Sequence, residues 1–213
     1  MPRRETTHVY LVRHGETDWN CEQRLQGAFD VPLNEAGTAQ AHRLAGRFVA
    51  IPIACVISSP LVRASATAAI LAAACLCPLS IDPRLREVDH GSWAGQTLPD
   101  IGQRFPALVR HEQLTAAAFD VSGGERLSEV QDRVAEALAD LLGRHAGEDV
   151  LMVGHGIALA LMCCSATGAE ITRFPDHLPA NAGVVALTFL GDQFVGAQTM
   201  VDASMAMDPD VRR

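Results

Sequence analysis

Two apolar, β-branched runs in this chain end alike. Val9-Tyr10-Leu11-Val12 is followed by Arg13-His14-Gly15, and Val150-Leu151-Met152-Val153 by Gly154-His155-Gly156. Such runs read as buried strands. In an open α/β sheet, ligands bind beyond the carboxyl ends of the strands, so both histidines fall where chemistry is done. Arg13 brings a fixed fork of donors that matches phosphate or carboxylate. Gly15 lets the backbone turn sharply and lets a ligand approach closely, and Gly156 stands in the same place after the second histidine. The stretch around Arg13 and His14 reads as an anion pocket with a nucleophile or base in it.

A further cation points the same way. Ala54-Cys55-Val56-Ile57-Ser58 reads as another buried strand, and Ser59-Pro60 opens a helix over about 61–74 that carries Arg63 in its first turn, near amides able to hold an anion. Asn34 is a natural N-cap for a helix over about 35–50, ended by Pro52. Leu79-Ser80-Ile81 is a short strand, and Ile157–Thr167 an apolar core helix. A periodic helix runs to about His145, with Leu127, Val130, Val134, Leu138 and Leu141 on one face, and Ser122-Gly123-Gly124-Glu125 supplies its N-cap and first-turn acid. This alternation predicts a three-layer αβα sandwich around a mainly parallel sheet. Val184–Leu190 and Phe194–Val201 read as an edge hairpin turning at Gly191-Asp192. Residues 96–120, broken by Pro99, Gly102 and Pro106, suggest a lid of short helices, and the stretch from Asp202 a loosely ordered tail. No repeat divides the chain, so 1–213 is expected to form one domain.

Composition limits the partners. A net charge of −8 over 213 residues argues against nucleic acid or an anionic membrane surface, and it makes a local concentration of arginine more telling. The basic N-terminus has no apolar segment behind it, so no secretory signal is expected. No run reaches the roughly 18 apolar residues of a membrane span. The six cysteines show neither CxxC nor metal-ligand spacing, and free thiols in a reducing cytoplasm are expected. Cys21 lies near the proposed pocket.

Leu11-Val12-Arg13-His14-Gly15-Glu16-Thr17-Asp18-Trp19-Asn20 resembles the signature of the histidine phosphatase superfamily, which includes the cofactor-dependent phosphoglycerate mutases. Later segments match in order: Gln26-Gly27, the stretch from Ser58 to Thr67, Leu85-Arg86-Glu87 with Gly91 to Gly95, and Gly154-His155-Gly156. The resemblance implies a phosphoglycerate mutase-like fold and roles residue by residue. His14 is the implied nucleophile, forming a phosphohistidine that water attacks. His155 is implied to stabilise the phosphoryl oxygens, and Arg13 and Arg63 to clamp them bidentately. Asn20 adds an uncharged donor, while Gln26 and Gly27 lie against the substrate. Glu87 is the implied general acid, with Asp89 as its neighbouring competitor. A carboxyl group must carry a proton to serve there, and a dianionic phosphate beside it favours that form. No metal and no cofactor are called for. His90 and Trp93 are read as rim or packing residues. His8, His42, His111, His145 and His177 belong to no constellation.

The chain departs from its relatives at Ala94, at Arg126 and in the helix after Gly156, all away from the phosphate pocket. Its short lid has few cations, Arg104 and Arg110. The expectation is therefore a phosphatase acting on small phosphate monoesters. Mutase-type phosphotransfer, a non-catalytic phospho-ligand module and a metallohydrolase are the alternatives. Oligomeric state is not legible.

Overall fold

The computed structural model describes residues 5–110 and 113–201; the tail from Asp202, residues 1–4, His111 and Glu112 lie outside the described residues. In chain order the elements are β1 (Thr6–Arg13), α1 (Asp18–Cys21), α2 (Glu35–Phe48), β2 (Ile53–Ser58), α3 (Val62–Cys75), β3 (Leu79–Ile81), α4 (Leu98–Arg104), β4 (Val109–Arg110), β5 (Gln113–Leu114), α5 (Ala118–Val121), α6 (Leu127–Arg144), β6 (Asp149–Gly154), α7 (Gly156–Thr167), β7 (Val184–Leu190) and β8 (Gln193–Val201).

Six strands form one sheet in the order β3-β2-β6-β1-β7-β8. β3, β2, β6 and β1 run parallel, while β7 joins β1 antiparallel and β8 closes the edge as a hairpin. Alternate residues of each strand serve opposite layers. Tyr10 and Val12 pack with α2 and α3 through Leu44, Phe48, Ala68 and Leu71. Val9 and Leu11 pack with α6 and α7 through Val134, Leu138 and Leu161. Helices thus cover both faces, which is why the central strands are apolar on both sides. The register pairs Arg13 with Gly154, so the two histidines that follow emerge side by side from adjacent strands.

Two local expectations change. The helix expected from Glu125 starts at Leu127, and Ser122 instead closes α5, its N–H donating to Ala118 O. The reason is a close approach. Gly124 lies against the Asp89 carbonyl, where any Cβ would collide with backbone, and Gly123 has φ +74°. The first-turn acid is Glu129, whose carboxylate accepts from Arg126 N at 2.9 Å. The lid also holds a small antiparallel ladder, β4–β5, alongside its short helices; two-residue strands are too short to leave a sequence period. The lid is tied down by Leu98 N donating to Gln23 O and Leu25 N donating to Gln96 O, both at 2.9 Å.

Candidate active site

A cavity of about 440 Å³ opens above the carboxyl ends of β1 and β6. Its floor is made by Arg13, His14, Asn20, Arg63, Glu87 and Gly156, and Gln26 and Gly27 also line it. Residues from five separate stretches of sequence therefore meet at one end of the sheet.

His14 is 3% exposed. Its Nδ1 lies 2.6 Å from the Gly15 carbonyl. A carbonyl can only accept, so Nδ1 carries the proton and the lone pair is on Nε2. Burial, with Arg13 and Arg63 beside it, holds this imidazole well below its usual range and keeps it neutral. His155 is fully buried, its ring centroid 5.2 Å from that of His14 and its Nε2 2.7 Å from Ser59 Oγ. Burial, then Arg63, His14 and Arg13, push it below the usual range too. His155 thus lies behind His14 and outside the cavity lining, and its Nδ1 is a buried ring nitrogen with no hydrogen-bond partner.

The two arginines are tethered by backbone carbonyls. Arg13 Nη1 donates to Pro179 O at 2.8 Å. Arg63 Nη1 and Nη2 donate to Phe29 O at 2.7 Å and Gly27 O at 2.9 Å. Each of those nitrogens carries a second N–H, so Arg63 is anchored to the loop with three of its five donors left over. The Nε atoms of Arg13 and Arg63 remain buried and unpartnered. Burial pulls Arg63 down to about 10, still protonated at neutral pH. Two cations whose buried Nε donors are orphaned, facing one cavity, form a receptor for a compact anion. Gln26 is buried with an unpartnered Oε1, and Gly27 turns the loop at φ +50°. Asn20 Oδ1 accepts from Thr17 N and Thr17 Oγ1, both at 3.0 Å.

Glu87 faces the arginines across the floor. Its Oε1 accepts from Val88 N at 3.0 Å and Ala158 N at 3.2 Å, and its Oε2 from Ile157 N at 3.3 Å, so the carboxylate is seated on the first turn of α7. Asp89 turns away from the cavity and accepts from Gly91 N at 2.8 Å. His90 is buried against Phe119, and Trp93 stacks on Phe105. Cys21 is exposed, with its thiol donating to Glu16 Oε1 at 3.3 Å, and that carboxylate pushes the thiol up, away from the reactive thiolate. Among the described residues no cluster of three His, Cys, Asp or Glu side chains is arranged to hold a metal ion, and no single helix is long and apolar enough to cross a membrane.

A family model, the histidine phosphatase superfamily (branch 1), matches residues 9–200. The chain belongs to that superfamily. A curated relative from Salmonella choleraesuis, named probable phosphoglycerate mutase GpmB, is 41% identical over 162 residues, 75% of this chain and 74% of the relative. Among solved structures, Bacillus stearothermophilus YhfR superposes with a TM-score of 0.84 at 34% identity, covering 94% of this chain and 100% of that one. A mycobacterial glucosyl-3-phosphoglycerate phosphatase gives 0.77 at 25% identity, covering 92% and 98%. The chain is thus a phosphoglycerate mutase-like member of this enzyme superfamily, and phosphatases are among its structural neighbours.

Within this site, two positioning residues, Asn181 and Arg133, escape a reading of the sequence. Asn181 Nδ2 approaches His14 O at 3.2 Å, Gly15 O at 3.4 Å and Asn20 Oδ1 at 3.2 Å. The next residue, Ala182, has φ +53° and donates its N–H to His14 O at 3.1 Å. Arg133 of α6 grips the segment that carries Glu87, a 3-10 turn at Pro83–Leu85 and the loop after it, donating to the carbonyls of Arg84, Arg86 and Glu87 at 2.5, 2.7 and 3.2 Å. Glu125 completes that clamp, pairing with Arg133 Nε at 2.8 Å and accepting from Asp89 N at 3.1 Å. Nothing in the local sequence marks Asn181 or Arg133, since each acts on residues far away in the chain. For Glu125 the signal was the Ser122–Glu125 segment itself.

Proposed function

We propose that this chain is a metal-independent phosphomonoesterase that hydrolyses small phosphate monoesters through a phosphohistidine, one domain working in the cytoplasm without a cofactor. The observation that carries the reading is the neutral His14, with its lone pair on Nε2, beside two arginines whose buried Nε donors are unpartnered. The arginines neutralise the phosphoryl oxygens and hold phosphorus in line with Nε2. His14 Nε2 forms a bond to phosphorus as the ester P–O bond breaks, and protonated Glu87 gives its proton to the leaving alkoxide. A water molecule then loses a proton to the Glu87 carboxylate and attacks phosphorus. The P–N bond breaks, orthophosphate leaves, and His14 and Glu87 regain their starting states. His155 supports charge from behind His14 through its unpartnered Nδ1. All six cysteines are free, which supports a reducing compartment.

The name of the Salmonella relative favours a second reading, bisphosphate-dependent mutase chemistry. The test is phosphate release from a panel of monoesters including p-nitrophenyl phosphate, with EDTA present, in wild type and His14→Ala, alongside rapid-quench trapping of phosphohistidine. Chelator-resistant release that vanishes with the phosphoenzyme in His14→Ala supports the phosphatase. Isomerisation of 3-phosphoglycerate that requires 2,3-bisphosphoglycerate, with little phosphate release, replaces it with the mutase.

A further inference from the structure

The phosphoryl end of the cavity is charged, but the end that must receive the leaving group is not. The leaving oxygen has to face Glu87, so the group attached to it extends past Glu87 along the first turn of α7 and under the lid. The apolar walls there are Leu98, Leu114, Ile157, Phe174 and Leu178, and the uncharged polar side chains of Gln23 and Gln113, with His90, line the same cavity. Leu114 and Phe174 are buried members of the core, so this is a built wall, joined to the packing between α7 and the lid.

Charge in this outer part is already balanced. Arg13 and Arg63 belong to the phosphoryl floor. The remaining arginine among the described lining residues is Arg24, which is neutralised by Glu22 at 2.7 Å and bound to Gly95 O at 2.7 Å, its guanidinium lying 5.6 Å over Trp19. A carboxylate on the leaving group would leave water for an aliphatic wall and meet no uncommitted guanidinium there. An alkyl or aryl group would instead bury apolar surface at no electrostatic loss.

We infer that this site selects phosphate monoesters of uncharged, apolar alcohols and discriminates against phosphorylated carboxylic acids such as 3-phosphoglycerate. The inference rests on the phosphomonoesterase reading and specifies its substrate class. The reaction is ROPO₃²⁻ plus water giving ROH plus hydrogen phosphate, with R seated on the Leu114–Ile157–Phe174 wall.

The test uses n-alkyl phosphates from ethyl to hexyl, whose alcohols are of nearly equal basicity, so that differences in kcat/KM report the pocket and not the chemistry. Each ester is paired with the chain-matched ester bearing a terminal carboxylate, and p-nitrophenyl phosphate serves as a reference. Selection for apolar alcohols predicts kcat/KM rising about fourfold per methylene until the wall is covered, and carboxylated partners about tenfold or more slower. Leu98→Lys, which puts an ammonium group at the rim, should narrow or reverse that ratio. Should the variant fold poorly, the wild-type ratio alone decides. A flat alkyl series with carboxylated esters equally fast, while p-nitrophenyl phosphate is hydrolysed, overturns the inference and leaves the phosphatase reading standing. No hydrolysis of any ester, p-nitrophenyl phosphate included, overturns both.

Discussion

Replacing Asn181 separates catalytic alignment from stability. Its amide approaches three acceptors, and every one of them keeps another donor when the amide is removed. His14 O retains Ala182 N at 3.1 Å, Gly15 O retains His14 Nδ1 at 2.6 Å, and Asn20 Oδ1 retains Thr17 N at 3.0 Å. No acceptor is stranded, so Asn181→Ala loses only net hydrogen-bond energy, about 1–2 kcal/mol in total for these long contacts. For a chain of this size that is a fall in Tm of roughly 2–8 °C. Activity should suffer more. Asn181 joins the peptide bearing His14 to Asn20 on the cavity floor, and slack of about 1 Å in a nucleophile is worth about 100-fold in rate. Asn181→Ala should therefore lower kcat for phosphoenzyme formation by about 30- to 100-fold, while KM changes little because both arginines are held by other carbonyls. Asn181→Asp adds a carboxylate against the same carbonyls and close to His14. An anion there opposes the two arginines and moves the acid limb of kcat/KM to higher pH. Rapid-quench kinetics, a pH profile and thermal melts give the three readouts. A kcat within about threefold of wild type in Asn181→Ala, together with an unmoved acid limb in Asn181→Asp, would refute the alignment argument.

Three further outcomes are expected. Glu87→Gln should reduce turnover of alkyl phosphates by about 100-fold or more and that of p-nitrophenyl phosphate far less, because nitrophenolate leaves without a proton; Arg133→Met should show the same leaving-group dependence more weakly, and equal losses on both ester types would remove Glu87 as the acid. His14 and His155 are both held below the ordinary imidazole value of 6.5, so on the acid side of that value the folded state binds fewer protons than the unfolded chain. Stability should be fully present well above pH 6.5 and fall as pH drops below it, by about 1.4 kcal/mol per pH unit for each imidazole until its folded-state value is reached. Denaturant titrations at several pH values from neutral to acidic check this, and a flat dependence would contradict the neutral, buried state of the two rings.

Much of this site was legible in the linear chain, because the signals involved are local. A β-branched run that stops at Arg13-His14-Gly15 encodes both a buried strand and the groups at its end, and a second such run ends at His155. Arg63 follows a Ser-Pro helix start, and Glu87 stands in a recognisable segment. The strand ends and the helix start depend on residue type and spacing within a few positions, which backbone sterics and burial translate into structure, whereas the role of Glu87 is what the family resemblance implies. The parallel register that aligns Arg13 with Gly154, by contrast, pairs strands about 140 residues apart and came only with the packed sheet.

What the tertiary structure alone decided is how those groups are held and aimed. Asn181 lies 167 residues from His14, and Arg133 lies 46 residues from Glu87. The commitment of both Arg63 terminal nitrogens to Gly27 and Phe29, the recession of His155 behind His14, and the seating of Glu87 on the amides of α7 depend on where separate elements come to rest. So does the apolar wall beyond Glu87, which gathers side chains from the lid, α7 and the 171–178 segment. Propensity and periodicity act between near neighbours along the chain. Hydrogen bonds and cavity walls between distant segments exist only once the whole core has packed.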